Sequence, residues 1–209
     1  AVGPGGPISG VTDDMRSSDL QIEAIKQFVA AHPDMMELAL SAAHVHDIVQ
    51  RNHIAVVLGV EIDHIGNFKG GVTDAQIQGQ IQRLYNQGVR YIFPELLPDN
   101  LFGGTAIYDA QFNWANFREN GRFWDVECAS QADQIGMQLK GGANYDSVLV
   151  AHLRALKLGI NPTTYPPPTP ACQFGHRNAF GKATPTSSEG MTHAGRFALR
   201  EMMKRGMII

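Results

Sequence analysis

The sequence predicts an α/β fold of the (β/α) barrel type, formed as a partial barrel with long loop insertions. A continuous apolar run at 54–60 is typical of a strand covered on both faces in a parallel sheet, and a second buried strand is expected at 89–93. A helical pattern at 73–86 separates them, and a strand–helix–strand unit favours parallel pairing. Glu61 follows the first run, where α/β barrels place active-site residues. A complete barrel needs roughly 250 residues, so fewer than eight units are expected.

The first two helices are predicted from capping residues and apolar periodicity. Ser18 and Gln21 have the spacing of a capping box, and Ile22, Ile25, Phe28 and Val29 then recur on one inward helical face up to Ala30. A second helix is expected from 35 to 49, ending near 51–52. It contains the chain's only His-x-His motif, His44 and His46, whose side chains should diverge too far on a helix to chelate one ion easily.

Sequence patterns also predict a third helix and the organisation of the second half of the chain. Thr73 and Gln76 predict a capping box for the helix at 73–86. Residues 1–209 are interpreted as one α/β domain, with irregular insertions at 94–145 and 160–190. A helix is expected at 149–158 and a Pro-rich connector at 162–170. Thr192 should cap the last helix, whose apolar residues include Phe197, Ala198, Met202 and Met203, and 206–209 should lead from that helix into a strand.

Composition narrows the range of partners. The chain has 209 residues, of which 44% are hydrophobic and 18% charged, as expected for a globular protein with a sizeable core. A net charge of −3 gives no field that favours nucleic acid or an anionic membrane surface, so a small molecule is the expected partner. No run approaches the roughly 20 apolar residues of a membrane span, and 1–10 does not resemble a signal peptide. Cys128 and Cys172 are either free thiols or one bridge.

Several strings resemble the renal (membrane) dipeptidases, and specifically a bacterial branch of that family. They are VLGVEIDH at 57–64, GVRYIFP at 88–94, DN at 99–100, FGGTAIY at 102–108, HRNA at 176–179 and REMMKRGMII at 200–209. The resemblance covers most of 18–209, with the strings in the family's order. It implies a TIM-barrel-like metal-dependent hydrolase fold and cleavage of a dipeptide or related small amide by a metal-activated water.

The resemblance also assigns roles to individual residues. It implies that Glu61 bridges two divalent cations, usually zinc, and His64 is placed like a histidine of some relatives. His64, Asp63 and Glu95 are the candidate substrate contacts, because Asp63 could orient a ligand and Glu95 could offer a polar group beside the site. Residues 1–17 contain no histidine, although the family has its first metal pair there, and Leu96 stands near a place where relatives often have a histidine. The family's later ligands would follow Ile209. This chain alone is therefore expected to lack most metal ligands and to be inactive.

Other interpretations of the same residues remain open. Glu61 could end its strand in a salt bridge, Asp63 could cap backbone amides, and His64 could cap the glycine-rich loop at 66–71. The alternative function is a non-catalytic binding or structural derivative of the fold; a single-metal lyase or esterase is a third. A periplasmic or extracellular location is favoured over a cytoplasmic one. An open barrel would expose strand edges, so homo-oligomer formation is also considered.

Overall fold

The computed structural model describes residues 13–68, 71–95, 98–105, 112–131, 172–180 and 191–208. They divide into two compact units, one within 1–96 and 193–209 and the other within 97–192, whereas the sequence predicts one domain. In chain order the elements are α1 (Asp14–Ala30), β1 (Met36–Leu38), α2 (Ala42–Gln50), β2 (Ile54–Val56), β3 (Leu58–Glu61), α3 (Asp74–Asn86), β4 (Val89–Phe93), α4 (Phe112–Asn120), β5 (Val126–Cys128), β6 (His176–Asn178) and α5 (His193–Lys204).

The strands of the first unit pair in parallel. β1 pairs with β2, and β3 pairs with β4 across the crossover that contains α3. Ile208 extends the order by a parallel bridge to Tyr91. The predicted parallel strand–helix–strand unit is therefore confirmed, and after the last helix the described residues form a single bridge at Ile208 and no full strand. The described strands do not form a closed barrel, and the partial barrel stays a prediction.

The predicted second helix is wrong at its start. Residues 36–38 form β1, in register with Ile54–Val56, and α2 begins only after Ser41, whose side chain accepts a hydrogen bond from the His44 amide. Met36 is buried by this pairing. The capping box at Ser18 is also wrong: Asp13 caps α1 by accepting from the Arg16 amide at 2.8 Å, and Ser18 is buried inside the helix.

The strand predicted at 54–60 is in fact two strands, β2 and β3, which belong to two separate two-stranded sheets. The core of the first unit includes one face of the β3–β4 sheet and the inner side of α3. Leu58, Val60 and Ile92 are buried in the sheet, and Ile77, Ile81 and Leu84 are buried on α3, whose predicted capping box at Thr73 and Gln76 is present. The expectation that 54–60 is covered on both faces is wrong, since Ile54 and Val57 are exposed. Ile25, Phe28, Met35 and Met203, expected to pack inward, are exposed as well.

The second unit contains regular structure where irregular insertions at 94–145 and 160–190 were predicted. α4 lies in the first of these ranges, and an antiparallel pair joins β5 to β6. A disulfide joins Cys128, the last residue of β5, to Cys172, four residues before β6 begins. The predicted helix at 149–158 and the connector at 162–170 lie outside the described residues.

A buried carboxylate organises the second unit. Asp99 is fully buried and accepts from the Thr105 amide, from Asn178 Nδ2 at 2.5 Å and from Arg122 at 2.9 Å. Burial raises the pKa of Asp99, while the bonds from Asn178 and Arg122 oppose that rise. These contacts join the segment at 98–105 to α4's following turn and to β6.

Candidate functional site

The candidate site is the carboxyl edge of the β3–β4 sheet, meaning the ends of β3 and β4 at Glu61 and Phe93. Glu61 is the last residue of β3, is exposed, and lies opposite Phe93 in the parallel register. In a parallel pair the carboxyl ends share one edge, and in open α/β sheets and barrels ligands bind at that edge. The sequence prediction that Glu61 ends a strand is therefore confirmed.

One face of this edge combines aromatic rings with the carboxylate. Gly59 pairs with Tyr91 as Glu61 pairs with Phe93, and alternation along the strands places these four side-chain positions on one face. The ring of Tyr91 covers Gly59, where an added Cβ would lie 2.9 Å from Tyr91 Cδ1. Leu58, Val60 and Ile92 are buried on the other face. The apolar helix-packed side of the sheet thus orients Glu61 outward.

The segment after β3 contacts the first turn of α1 through one pair of side chains. His64 Nδ1 lies 3.3 Å from Asp14 Oδ2, with side chains 32% and 20% exposed. His64 precedes a 3₁₀ turn at Ile65–Asn67 and makes no side-chain cap bond to it. The Arg16 backbone amide and then the Asn67 side chain lower the pKa of Asp13, the residue before Asp14. The position of the loop beside Glu61 is therefore tied to the first turn of α1.

The remaining predicted site residues lie near the same edge. Asp63, half-buried, follows Glu61 by two residues, and Glu95, also half-buried, follows β4 by two residues. Glu61, Asp63 and His64 thus stand on the segment that ends β3, and Glu95 on the segment that ends β4. Both segments begin at neighbouring strands.

The metal donors near this edge do not amount to a binuclear zinc centre. Among the described residues, no group of three or more His, Cys, Asp or Glu side chains could hold a metal ion. Seven of the eight histidines lie in that part of the chain, His152 being the exception. Since zinc prefers four ligands, or three with a water, the described donor set does not fit the metal that the resemblance implies.

The first histidine of the His-x-His motif on α2 is held by hydrogen bonds within the fold, and the second is exposed. His44 Nδ1 accepts from the Leu40 amide at 3.4 Å, which leaves Nε2 as the donor to Glu37 Oε1 at 2.8 Å. His46 is exposed. Hydrogen bonds from Arg51 and then from His44 lower the pKa of Glu37. As predicted for side chains two residues apart on a helix, the two imidazoles do not converge.

Sequence reasoning missed Asp14 as a neighbour of the site. Asp13 and Asp14 do precede the first apolar helical residues, which is a recognisable start signal, but nothing local links them to a residue 50 positions away. For Cys128 and Cys172 the sequence left two states open, and the structure has them bridged. The sequence indicated no role for Asn178, and in the structure its side-chain amide donates a hydrogen bond to the Asp99 carboxylate.

Comparisons with known proteins identify no relative of this chain. No family model, curated protein or solved structure matches it. In the described part of the chain, no helix is both long and apolar enough to cross a membrane, in agreement with the sequence prediction.

Proposed function

We propose that this chain is a hydrolase of the membrane dipeptidase type, acting on a dipeptide or a related small amide at the carboxyl edge of β3 and β4. The observation that supports this most is the position of Glu61, an exposed carboxylate at the end of a parallel strand, opposite Phe93. The resemblance in 57–64 and 88–94 covers these same two strand ends. The parallel order of neighbouring strands is also that of successive barrel units.

Within this proposal each residue at the edge has a defined task. Glu61 is the proposed metal ligand, and Asp63, His64 and Glu95 are the proposed contacts to substrate. His64 is held by Asp14, which fixes the loop that contains Asp63 and His64 relative to the strand end. Zinc remains the proposed cofactor, with its other ligands outside the described residues. Because the described donors are incomplete, we derive no reaction step through the metal.

The disulfide supports the proposed location. Cys128 and Cys172 are bonded, and structural disulfides form and persist mainly in secreted, periplasmic or extracellular proteins. We therefore propose a periplasmic or extracellular location. A small dipeptide would be accessible to a hydrolase there.

The incomplete set of metal-binding side chains near Glu61 favours a second candidate function, a non-catalytic binding protein derived from the fold. In it the carboxyl edge binds a small polar molecule without cleaving it. The incomplete set of metal donors among the described residues is the observation that favours this alternative. The two candidates share the site and differ in turnover.

The test measures binding and cleavage on the same preparations. The 209-residue chain and a longer chain extended at both ends are each incubated with zinc and alanyl-alanine; calorimetry gives the affinity for the dipeptide and free alanine measures turnover. The hydrolase proposal expects turnover by the extended chain alone, which Glu61→Gln abolishes and which Glu23→Gln, a change at an exposed glutamate on α1, leaves intact. Binding without turnover, lost in Glu61→Gln, would instead favour the binding protein. No binding and no turnover would contradict both.

A further inference from the structure

The side of the β3–β4 sheet that presents Gly59, Glu61, Tyr91 and Phe93, called the outer face below, combines aromatic rings with a carboxylate. Gly59 and Glu61 are exposed, Phe93 is 39% exposed and Tyr91 is half-buried. Ile208 is bridged to Tyr91 and is 55% exposed, which adds an aliphatic side chain to this face. Parallel sheets are usually covered on both faces. An open apolar face with a polar group at its rim is typical of a ligand site.

The functional groups of the outer face have no partner of their own. Among the described residues, the Glu61 carboxylate forms no ion pair or hydrogen bond. The rings of Tyr91 and Phe93 stack on no other ring in that part of the chain and hold no cation. The ring of Tyr85, by contrast, has the Arg90 guanidinium 3.9 Å from its centroid. Two rings and one carboxylate are therefore available to a ligand.

The spacing of the sheet brings these three groups within reach of one small ion. Glu61 and Phe93 are register partners on neighbouring strands, about 4.8 Å apart, and Tyr91 lies two residues, about 6.6 Å, before Phe93. The Tyr91 ring extends over β3, because an added Cβ on Gly59 would lie 2.9 Å from Tyr91 Cδ1. Since a cation interacts with a ring up to about 6 Å from its centroid, a single ion can contact both rings and the carboxylate.

The charge around the outer face is complementary to a cation. Residues 58–68 and 91–95, which form the two strand ends and the loop after β3, contain no Lys or Arg. Arg90, one residue earlier, is engaged elsewhere, because its Nη1 donates to the Tyr85 carbonyl oxygen and its guanidinium lies over the Tyr85 ring. The acidic residues of the two segments are Glu61, Asp63 and Glu95.

The groups on this face suit one class of cation. A primary ammonium has three N–H donors, and the face offers it one carboxylate and one phenol. A metal ion needs more ligands than the described residues supply. A quaternary ammonium has no N–H donor, and its methyl groups can pack on the rings and on Ile208. We infer that the outer face binds a quaternary ammonium group, held between Tyr91 and Phe93 with Glu61 as its counter-ion.

This inference goes beyond the hydrolase proposal, since it needs neither zinc nor cleavage. It names the class of ligand for the second candidate function, binding without cleavage at the same strand ends. Cleavage of alanyl-alanine in the presence of zinc is a separate measurement. Loss of either result therefore leaves the other intact.

The experiment is an NMR titration of the labelled 209-residue chain with choline, in buffer that contains EDTA to remove metal ions. We expect saturable amide shifts at Glu61, Tyr91 and Phe93, with a dissociation constant on the order of millimolar because an open face covers only part of the ligand. Dimethylbutanol, in which carbon replaces the choline nitrogen, has the same shape without the charge. It should bind about fivefold more weakly.

Four variants assign the contacts. Glu61→Gln removes the counter-ion and Phe93→Leu removes a ring while it keeps an apolar side chain, and each should weaken choline binding about threefold. Tyr91→Phe keeps its ring and should leave the affinity within about twofold of the wild type. Phe28→Leu, at an exposed ring on α1, should have no effect. Far-UV circular dichroism and the melting temperature show that each variant is folded.

Three results would overturn the inference. One is the absence of saturable shifts at several tens of millimolar choline. Another is equal affinity for choline and dimethylbutanol, which would mean that the charge is not recognised. The third is an affinity for choline that Glu61→Gln and Phe93→Leu both leave unchanged, which would place the ligand elsewhere.

Discussion

The ring of Tyr91 lies across Gly59, with Cδ1 2.9 Å from the position that a Cβ on Gly59 would occupy. The two residues are register partners in the parallel pair of β3 and β4, two positions before Glu61 and Phe93. A glycine at 59 is therefore what allows the aromatic ring to lie flat beside the candidate site. The local packing and the exposed carboxylate depend on the same pair of strands.

The first prediction concerns that glycine. Gly59→Ala should lower the free energy of unfolding by about 1–3 kcal/mol, because the methyl group overlaps the Tyr91 ring and forces it or the strand to move. Urea unfolding followed by far-UV circular dichroism measures the change. Gly79→Ala is the matched control: Gly79 lies on α3 with open space around a Cβ, so alanine should stabilise the helix by about 0.5–1 kcal/mol. Equal effects of both substitutions would contradict the packing described here.

The second prediction concerns the disulfide. Cys128 and Cys172 are 44 residues apart, and closing a loop of that length contributes about 4 kcal/mol through the unfolded state. Reductant should therefore shift unfolding of the second unit to lower urea. Both tryptophans belong to that unit, so their fluorescence follows it. The Cys128→Ser/Cys172→Ser variant should unfold at the lower midpoint with or without reductant. If reductant left the urea midpoint of the wild type unchanged, the disulfide would not contribute to the stability of the second unit.

The third prediction is a pH dependence from Glu201 on α5. Glu201 is buried, and hydrogen bonds from Lys204 first, then Arg205 and Gln78, lower its pKa to about 2 from 4.5. A carboxyl whose folded pKa is depressed stabilises the fold above its unfolded pKa, and this contribution is lost as the pH falls through 4.5 toward 2.

Unfolding free energies measured across this pH range test the effect. Glu201→Gln should be less stable than the wild type at neutral pH, and the difference should shrink as the medium becomes acidic. Glu23→Gln, at an exposed glutamate on α1, should follow the wild-type curve throughout. A constant difference between Glu201→Gln and wild type at all pH values would mean that the Glu201 charge does not stabilise the fold.

The fourth prediction concerns the buried Asp99. Asp99→Ala should destabilise the second unit by about 3 kcal/mol, because it leaves Asn178 and Arg122 without their acceptor. Asp125→Ala, at an exposed aspartate in the same unit, should change stability by less than about 0.5 kcal/mol. Tryptophan fluorescence during urea unfolding measures both. If Asp99→Ala unfolded at the wild-type midpoint, Asp99 would not organise this unit.

Local sequence patterns predicted the elements where propensity and tertiary packing agree. The capping box at Thr73 and the β-branched and aromatic residues at 89–93 gave α3 and β4 their observed positions. The prediction failed at β1. Met36, Glu37 and Leu38 all favour helices, and their parallel pairing with β2 overrides that preference. A pairing of this kind depends on residues far along the chain.

At the candidate site, too, features set by neighbouring residues could be predicted, and contacts between residues far apart in the chain could not. Glu61 could be predicted because a charge that directly follows an apolar run marks a strand end. The contact of His64 with Asp14 spans 50 residues and that of Asn178 with Asp99 spans 79, and no local spacing encodes either. The wrong inward assignment of Phe28 has a physical reason, since α1 has apolar residues on two sides and only one faces its own core.

The central claim, that the carboxyl edge of β3 and β4 binds a small amide, is tested most directly by NMR titration. Alanyl-alanine is added to the isotopically labelled chain with zinc present, and backbone amide shifts are followed. Saturable shifts are expected at Glu61, His64 and Phe93, with none at Glu23 on α1, and the response should be lost in Glu61→Gln. Shifts confined to residues 97–192, or no shifts at millimolar dipeptide, would contradict it.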